Sequence, residues 1–529
     1  MNKIVLTVAS LVAMCGQVMA QGGEQLLQFS RYNFGMATAR SAAMGGAYTS
    51  LGADAASMSI NPAGLAMYNR SHISITPMLR LTDNTTTSAG ENSTVRNNTK
   101  LSFNSLAGVY ANGTFAVGIG YNRLADFAGH DQSYGTAQGV SMGQQFAEQL
   151  YGINYKSLSS EGGSFKPFFN NYPVAWGAIM GYQGYLINNY GEDSYNMAGV
   201  FQPEMGDKVT PQMWQERRGA VDEYLISGAY NYDGILYVGA SIAFQNQWYS
   251  QNDSYSEVAS VKNKGELNNW TYRQSLRQYG FGFNIKVGAI VRPVPWLRIG
   301  VSYHSPTWSN MREESWQDMT LYKFNTEGWG ESSTPSLENN YHYRTPSRLL
   351  AGISFTIARR VIISADYERT WYGSMKYNTN IMDYGFRPST TSNAIDKLSN
   401  IADNMSPTGS INLNNIISQS YRTTNNFRVG VEAQPADGIF LRVGYAYFSS
   451  PYKAKELQSY GAIEQWSGGV GYHHQLFSLD LTYTNAVCRA LPYKYFDFTS
   501  TDGYRIASEG EVLGKEVVNN ILLTVGFRF

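Results

Sequence analysis

The pentapeptide Gly139-Val140-Ser141-Met142-Gly143 has the spacing of a serine-hydrolase nucleophile elbow. That chemistry needs an apolar strand, a strained turn and a helix around the serine. Here the motif stands in a long polar stretch with no apolar strand before it, so a flexible loop is expected. A hydrolase reading stays open as an alternative and would need Ser141, or another serine, beside a histidine. No His-Glu-x-x-His motif, phosphate-binding loop or paired-cysteine motif occurs. His473 and His474 are adjacent, and only one of the two can share a strand face, which argues against a metal site. No catalytic residue, metal or cofactor is therefore expected.

Charges within alternating stretches say more. With the apolar parity facing lipid, Lys286, Arg298, Arg348, Asp366, Glu368, Arg428, Glu432, Arg442 and Asp480 all point to the opposite face. An Arg or Lys facing lipid at mid-depth costs about 2–4 kcal/mol, so these groups belong inside. One reading is an internal ion-pair network. The functional reading is that one or two cations bind a ligand carboxylate. Lys286 and Arg298 lie on adjacent predicted strands with no acidic residue on the same faces, which makes them the carboxylate candidates.

These side chains need strands to carry them. In Asn519–Phe529, Ile521, Leu523, Val525, Phe527 and Phe529 fall on one face, over the length a tilted strand needs to cross a bilayer. The same alternation recurs in pairs around Asn112-Gly113, Asp233-Gly234, Pro293-Val294-Pro295, Ala358-Arg359-Arg360, Pro435-Ala436-Asp437-Gly438 and His474-Gln475. With Ile73–Leu81 and the last strand, fourteen strands result. The other connections are long and rich in Asn, Ser, Thr, Gly and Tyr, at roughly 83–99, 126–219, 250–275, 307–344, 373–424, 450–463 and 488–518. The apolar stretch Tyr172–Asn188 is left inside the second of these; as a strand it would make fifteen. Short turns alternating with long loops form the outer-membrane pattern of periplasmic turns and extracellular loops. The fold class is thus all-β, a transmembrane antiparallel barrel of residues 71–529.

Residues 1–20 read as a cleaved signal peptide, with Lys3, the apolar Ile4–Met14 and Val18-Met19-Ala20 before a cut at Gln21. A lipoprotein reading at Cys15 is weakened by Met14 before it. Lys+Arg and Asp+Glu both number 40, so no global charge attracts nucleic acid. Residues 21–70 are small and rich in Gly and Ala, too short for a separate domain. Short helical turns inside the barrel mouth would bury them.

The segment Gly35–Leu65 carries Ala42-Ala43-Met44-Gly45-Gly46-Ala47, Asp54-Ala55-Ala56 and Asn61-Pro62-Ala63-Gly64-Leu65. With Gly300–Pro306 and Ser364–Trp371, it resembles the FadL/TodX family of outer-membrane hydrophobic-compound transporters. The loops, above all 126–219, do not obviously match. The resemblance implies a fourteen-stranded barrel, an N-terminal hatch over 21–70 with Asn61, Pro62 and Ala63 as its anchor, and long-chain fatty acids or similar molecules as ligands. It implies sideways release at a kinked third strand, which here holds Gly118 and Gly120. Ending on Phe529, the last strand resembles the C-terminal signal of outer-membrane barrels, which the barrel assembly machinery reads. The expected partners are a hydrophobic small-molecule ligand and outer-membrane lipids, with no nucleic acid. A surface receptor for another apolar ligand, such as haem, is the alternative on this scaffold.

Overall fold

The computed structural model describes residues 27–88, 91–150, 176–189, 201–203, 208–259, 267–323, 329–334, 336–379, 413–500 and 503–529. The signal segment, with Cys15 and the cut at Gln21, lies outside them.

Fourteen antiparallel strands close on themselves. In chain order they are β1 (His72–Ser88), β2 (Glu91–Ala111), β3 (Phe115–Asp126, resumed at Gly129–Tyr134), β4 (Val209–Tyr232) and β5 (Leu236–Ala259). Next come β6 (Leu267–Val294), β7 (Leu297–His304, then Trp308–Lys323), β8 (Leu337–Arg344, then Arg348–Ile357) and β9 (Val361–Trp371, then Lys376–Thr379). The series ends with β10 (Thr423–Ala436), β11 (Ile439–Phe448), β12 (Ile463–His473), β13 (Phe477–Arg489) and β14 (Val512–Arg528). β14 pairs with β1 from Arg528↔His72 to Val512↔Ser88, so the sheet has no free edge there.

The side-chain period of two sorts the wall. On β6, Val287, Ile285, Phe283 and Phe281 point outward and are exposed, whereas Lys286 and Asn284 point inward and are buried. Such an apolar outer band is what lipid contact requires. At the short-turn end, Asp233 and Gly234 take φ of 51° and 68°, the paired positive angles of a tight hairpin. Ala358 and Arg359 take 49° and 59° at the β8–β9 turn without a glycine.

The far end differs from expectation. Three of the seven predicted long loops, 83–99, 250–275 and 307–344, are mainly strand. β5 spans 24 residues and β6 spans 28, against about 9–11 needed to cross a bilayer. The extensions are largely polar, with Tyr249, Tyr255, Trp270 and Tyr272 set inward among polar residues, so they carry no apolar alternation. Yet their backbones pair in register from Asn246↔Phe281 up to Val258↔Asn269. Inside this upper rim sit α1 (Met142–Gln149) and α2 (Trp176–Gln183). Phe146, Ile179 and Met180 pack with Trp270, Leu321 and Phe498 in an apolar cluster. The described part of Tyr172–Asn188 is therefore mainly helix, not a fifteenth strand.

Residues 27–71 run inside the lower barrel as short turns: Phe34–Met36, Ala39–Ala43, Ser57–Ile60 and Pro62–Met67. Thr38 starts the second turn by accepting from Ser41 N, and Asn61 starts the last by accepting from Ala63 N with Pro62 in the first position. Ala39, Ala42, Ala43, Ala56 and Ala63 are fully buried.

Candidate functional site

The lumen wall meets the N-terminal segment through glycines. A Cβ at Gly300 would stand 2.2 Å from the Thr49 carbonyl oxygen, and one at Gly288 2.0 Å from Asn61 Oδ1. One at Gly444 would stand 2.1 Å from Gly45 N. No other residue permits this backbone approach. Into the space so made, Asn61 Nδ2 donates to Thr49 O at 2.7 Å and to the wall carbonyls of Ala289 and Val301 at 3.3 Å. Pro62 and Ala63 lie against Gly239. Asn61, Pro62 and Ala63 are thus all brought to the β5–β7 wall.

Polar contacts continue around the circumference. Arg40 makes a two-pronged pair with Glu432 on β10, at 2.9 and 2.8 Å. Glu432 also accepts from Arg442, which reaches Asp480 at 2.6 Å. Asp366 accepts from Thr49 N at 2.7 Å, and Ser59 donates to Glu223 at 2.7 Å. Arg348 donates to the Ser30 carbonyl and pairs with Glu368, which also holds Arg428. Among the predicted inward charges, all but Arg298 and Asp366 are thus held in ion pairs, and Arg40 of the N-terminal segment takes part in them.

Two site expectations change. Lys286 has an acidic neighbour after all: its Nζ lies 2.7 Å from both carboxylate oxygens of Glu223 on β4. Glu223 immediately precedes the apolar stretch from Tyr224 by which the strand was recognised, and so escaped notice. Nor do Lys286 and Arg298 sit together. Lys286 is level with His304, whereas Arg298 follows the β6–β7 turn, about 20 Å away along β7. Arg298 forms no ion pair among the described residues and its Nε lacks a hydrogen-bond partner.

Phe34, which sequence reasoning missed, occupies the centre. Its ring lies 4.7 Å from Lys286 Nζ, 5.1 Å from the Arg348 guanidinium and 4.9 Å from the His304 ring. Tyr32 faces Arg348 at 4.8 Å. The remaining space among Tyr32, Phe34, Lys286, His304 and Arg348 is about 10 Å³, that of one water. The available signal was Phe29-Ser30-Arg31-Tyr32-Asn33-Phe34, an aromatic run inside an otherwise small-residue segment.

The third strand is irregular, but not at its glycines. Gly118 and Gly120 stay paired on both sides, and they make room for Met58. The register shift falls between Arg123 and Ala125. Beyond Ser105↔Asn122 the β2–β3 ladder ends, while β3 goes on pairing with β4 alone. One side-chain pair bridges the parted edges: Lys100 on β2 reaches Asp126 on β3 at 2.8 Å.

Ser141 ends the loop that leads into α1. It caps α1, accepting from Gly143 N at 2.9 Å and donating to the buried Glu257 carboxylate at 2.5 Å. Glu257, above the lipid band, also accepts from Met142 N, Tyr255 and Trp270. Burial pushes its carboxyl above the usual range, against the opposing pull of those donors. No strand-turn-helix elbow surrounds Ser141.

No protein-family model matches the chain, and no curated protein does. Among solved structures, a FadL homologue from Pseudomonas aeruginosa aligns with a TM-score of 0.51 at 12% identity, over 94% of this chain and 98% of that one. A TodX monoaromatic hydrocarbon channel, the deltaS2 mutant, aligns with a TM-score of 0.51 at 12% identity, over 94% and 100%. At such identity it is architecture that carries over, and in architecture this chain has the FadL-type fold.

Proposed function

We propose that the protein is an outer-membrane channel for passive uptake of hydrophobic small molecules, long-chain fatty acids or similar, with residues 21–70 as its hatch. The observation that carries this reading is the Phe34 contact. An aromatic side chain of the lumen segment fills the place where two cations and a histidine converge, so an amphiphile with an apolar body and an anionic head could replace it. Lys286 and Arg348 would then hold the head, and Arg298 would meet it nearer the periplasm. Movement of the hatch anchor Asn61-Pro62-Ala63 frees the lower lumen, and the end of the β2–β3 ladder offers a sideways exit into the membrane. No step needs ATP or a covalent intermediate. The fold shared with a FadL homologue and a monoaromatic hydrocarbon channel supports the class of ligand.

The test is uptake of a labelled long-chain fatty acid, and of toluene, by cells that lack other carriers. In a Cys488→Ser background, cysteines at Lys100 and Asp126 joined by a short, reducible thiol cross-linker should stop uptake, and reduction should restore it. Uptake unchanged by the cross-link would contradict the sideways exit. Uptake no greater than in cells without the protein would contradict the channel.

A further inference from the structure

Along the outward face of β6 the chemistry changes in a fixed order. From the short turns upward come Val287, Ile285, Phe283 and Phe281, then Tyr279, then Arg277, Ser275 and Arg273. At the height of the last two, an open groove of about 570 Å³ crosses the sheet, bounded by Trp214 of β4 and Trp316 of β7. Between the indoles its lining is Asn252, Asp253, Ser254, Arg273, Gln274 and Ser275, with Arg273 paired to Asp318 at 2.8 Å. The register makes this one face: Trp214 is opposite Ser254, Ser254 opposite Arg273, and Ser275 opposite Trp316. Three strand spacings and a two-residue offset along the strands separate the two indoles, about 16 Å in all.

We propose that this groove binds the phosphorylated sugar headgroup of a glycolipid in the surrounding outer leaflet. Indoles offer apolar faces on which sugar rings lie, and the amide, hydroxyl and guanidinium groups between them match a row of hydroxyls. Arg277, two residues nearer the lipid band, is exposed and has no ion pair among the described residues, whereas Arg218 and Arg312 pair with Glu216 and Glu314. A guanidinium at that height suits a phosphate. From membrane to exterior, the wall thus presents an apolar band, a cation and a sugar groove, the order of parts in a phosphorylated glycolipid. Its outward position selects a membrane-borne occupant over a transported one, whose path would lie in the lumen. The inference rests on the outer-membrane reading but not on any transport activity.

The experiment is native mass spectrometry of the full-length, folded protein titrated in detergent with a glycolipid carrying phosphorylated inner-core sugars. Trp214→Ala combined with Trp316→Ala should weaken binding about tenfold, while Phe at both positions keeps most of it. Arg277→Ser should weaken the phosphorylated glycolipid and leave its dephosphorylated form unchanged. Heat-modifiable migration confirms folding of each variant. Equal binding by the double-Ala variant and the parent would overturn the proposal. Equally tight binding of the deacylated sugar would overturn the membrane-borne source. Parent protein that binds glycolipid yet supports no solute uptake would support the groove and sink only the channel reading.

Discussion

The buried charges of the lumen stand in specific pairs: Lys286 with Glu223, Arg348 and Arg428 with Glu368, and Arg40 and Arg442 with Glu432. Parity placed Lys286, Arg348, Glu368, Arg428, Glu432, Arg442 and Asp480 on the lumen face, where all are buried. Which cation meets which anion depends on register across strands and on groups outside the alternating stretches. Glu223 and Arg40 are of that kind. The sequence could not rank Arg40 above other polar residues of its segment, although its pair with Glu432 joins that segment to the wall. Removing one partner of a buried pair leaves an uncompensated charge and costs about 3–5 kcal/mol, whereas an exposed pair contributes about 0–1 kcal/mol. Glu432→Gln should therefore lower the temperature at which the folded barrel loses its fast gel migration, measured over a heating series. Glu338→Gln, in the exposed pair with Arg312, should leave it unchanged. Equal midpoints for the two variants would show that the lumen network contributes nothing to holding the barrel.

At the scale of elements, the lipid-crossing half of each strand was readable because one face must be apolar. The upper halves were not. Above Asn246 β5 is mostly polar, its Tyr249 and Tyr255 too widely spaced to make an alternation, so the pattern resembles a loop while the backbone still pairs. The glycines misled in a related way. Gly118 and Gly120 suggested a bend, yet their lack of Cβ accommodates Met58, and the irregularity lies at Arg123–Ala125. The same logic gives a test of the seated segment. Gly300→Val places atoms where Thr49 already sits, so it should push the segment off the wall and raise ion conductance while the barrel still assembles. Gly228→Val meets nothing within 4 Å and should conduct as the parent does. If both variants stay equally closed in planar bilayers, the close packing at Gly300 does not seal the lumen. The last strand is a further element-scale case. Phe529 N donates to Ser71 O at 3.1 Å, and its ring is exposed beside the closing seam of β14 and β1. Deleting Phe529 should cut the amount of heat-modifiable protein in outer membranes several-fold. Normal levels would remove it as an assembly signal.

At the scale of the whole molecule, closure was legible and the upper contents were not. The alternating C-terminal strand implied a seam, and the small residues of 21–70 implied burial. Nothing in the loops foretold that α1, α2 and the stretch around Tyr495–Phe498 would meet in one apolar cluster under the upper rim. Their apolar residues are scattered over distant loops without a period. In the proposed channel the N-terminal segment is the barrier: it joins β6, β7, β10 and β13 by hydrogen bonds and places Phe34 and its neighbours in the lower lumen. The most direct test is the planar-bilayer conductance of protein lacking residues 21–65, with signal and first strand retained. The truncated barrel should pass steady open currents and the full one nearly none. A truncated barrel that assembles and conducts no more than the full protein would contradict the barrier role.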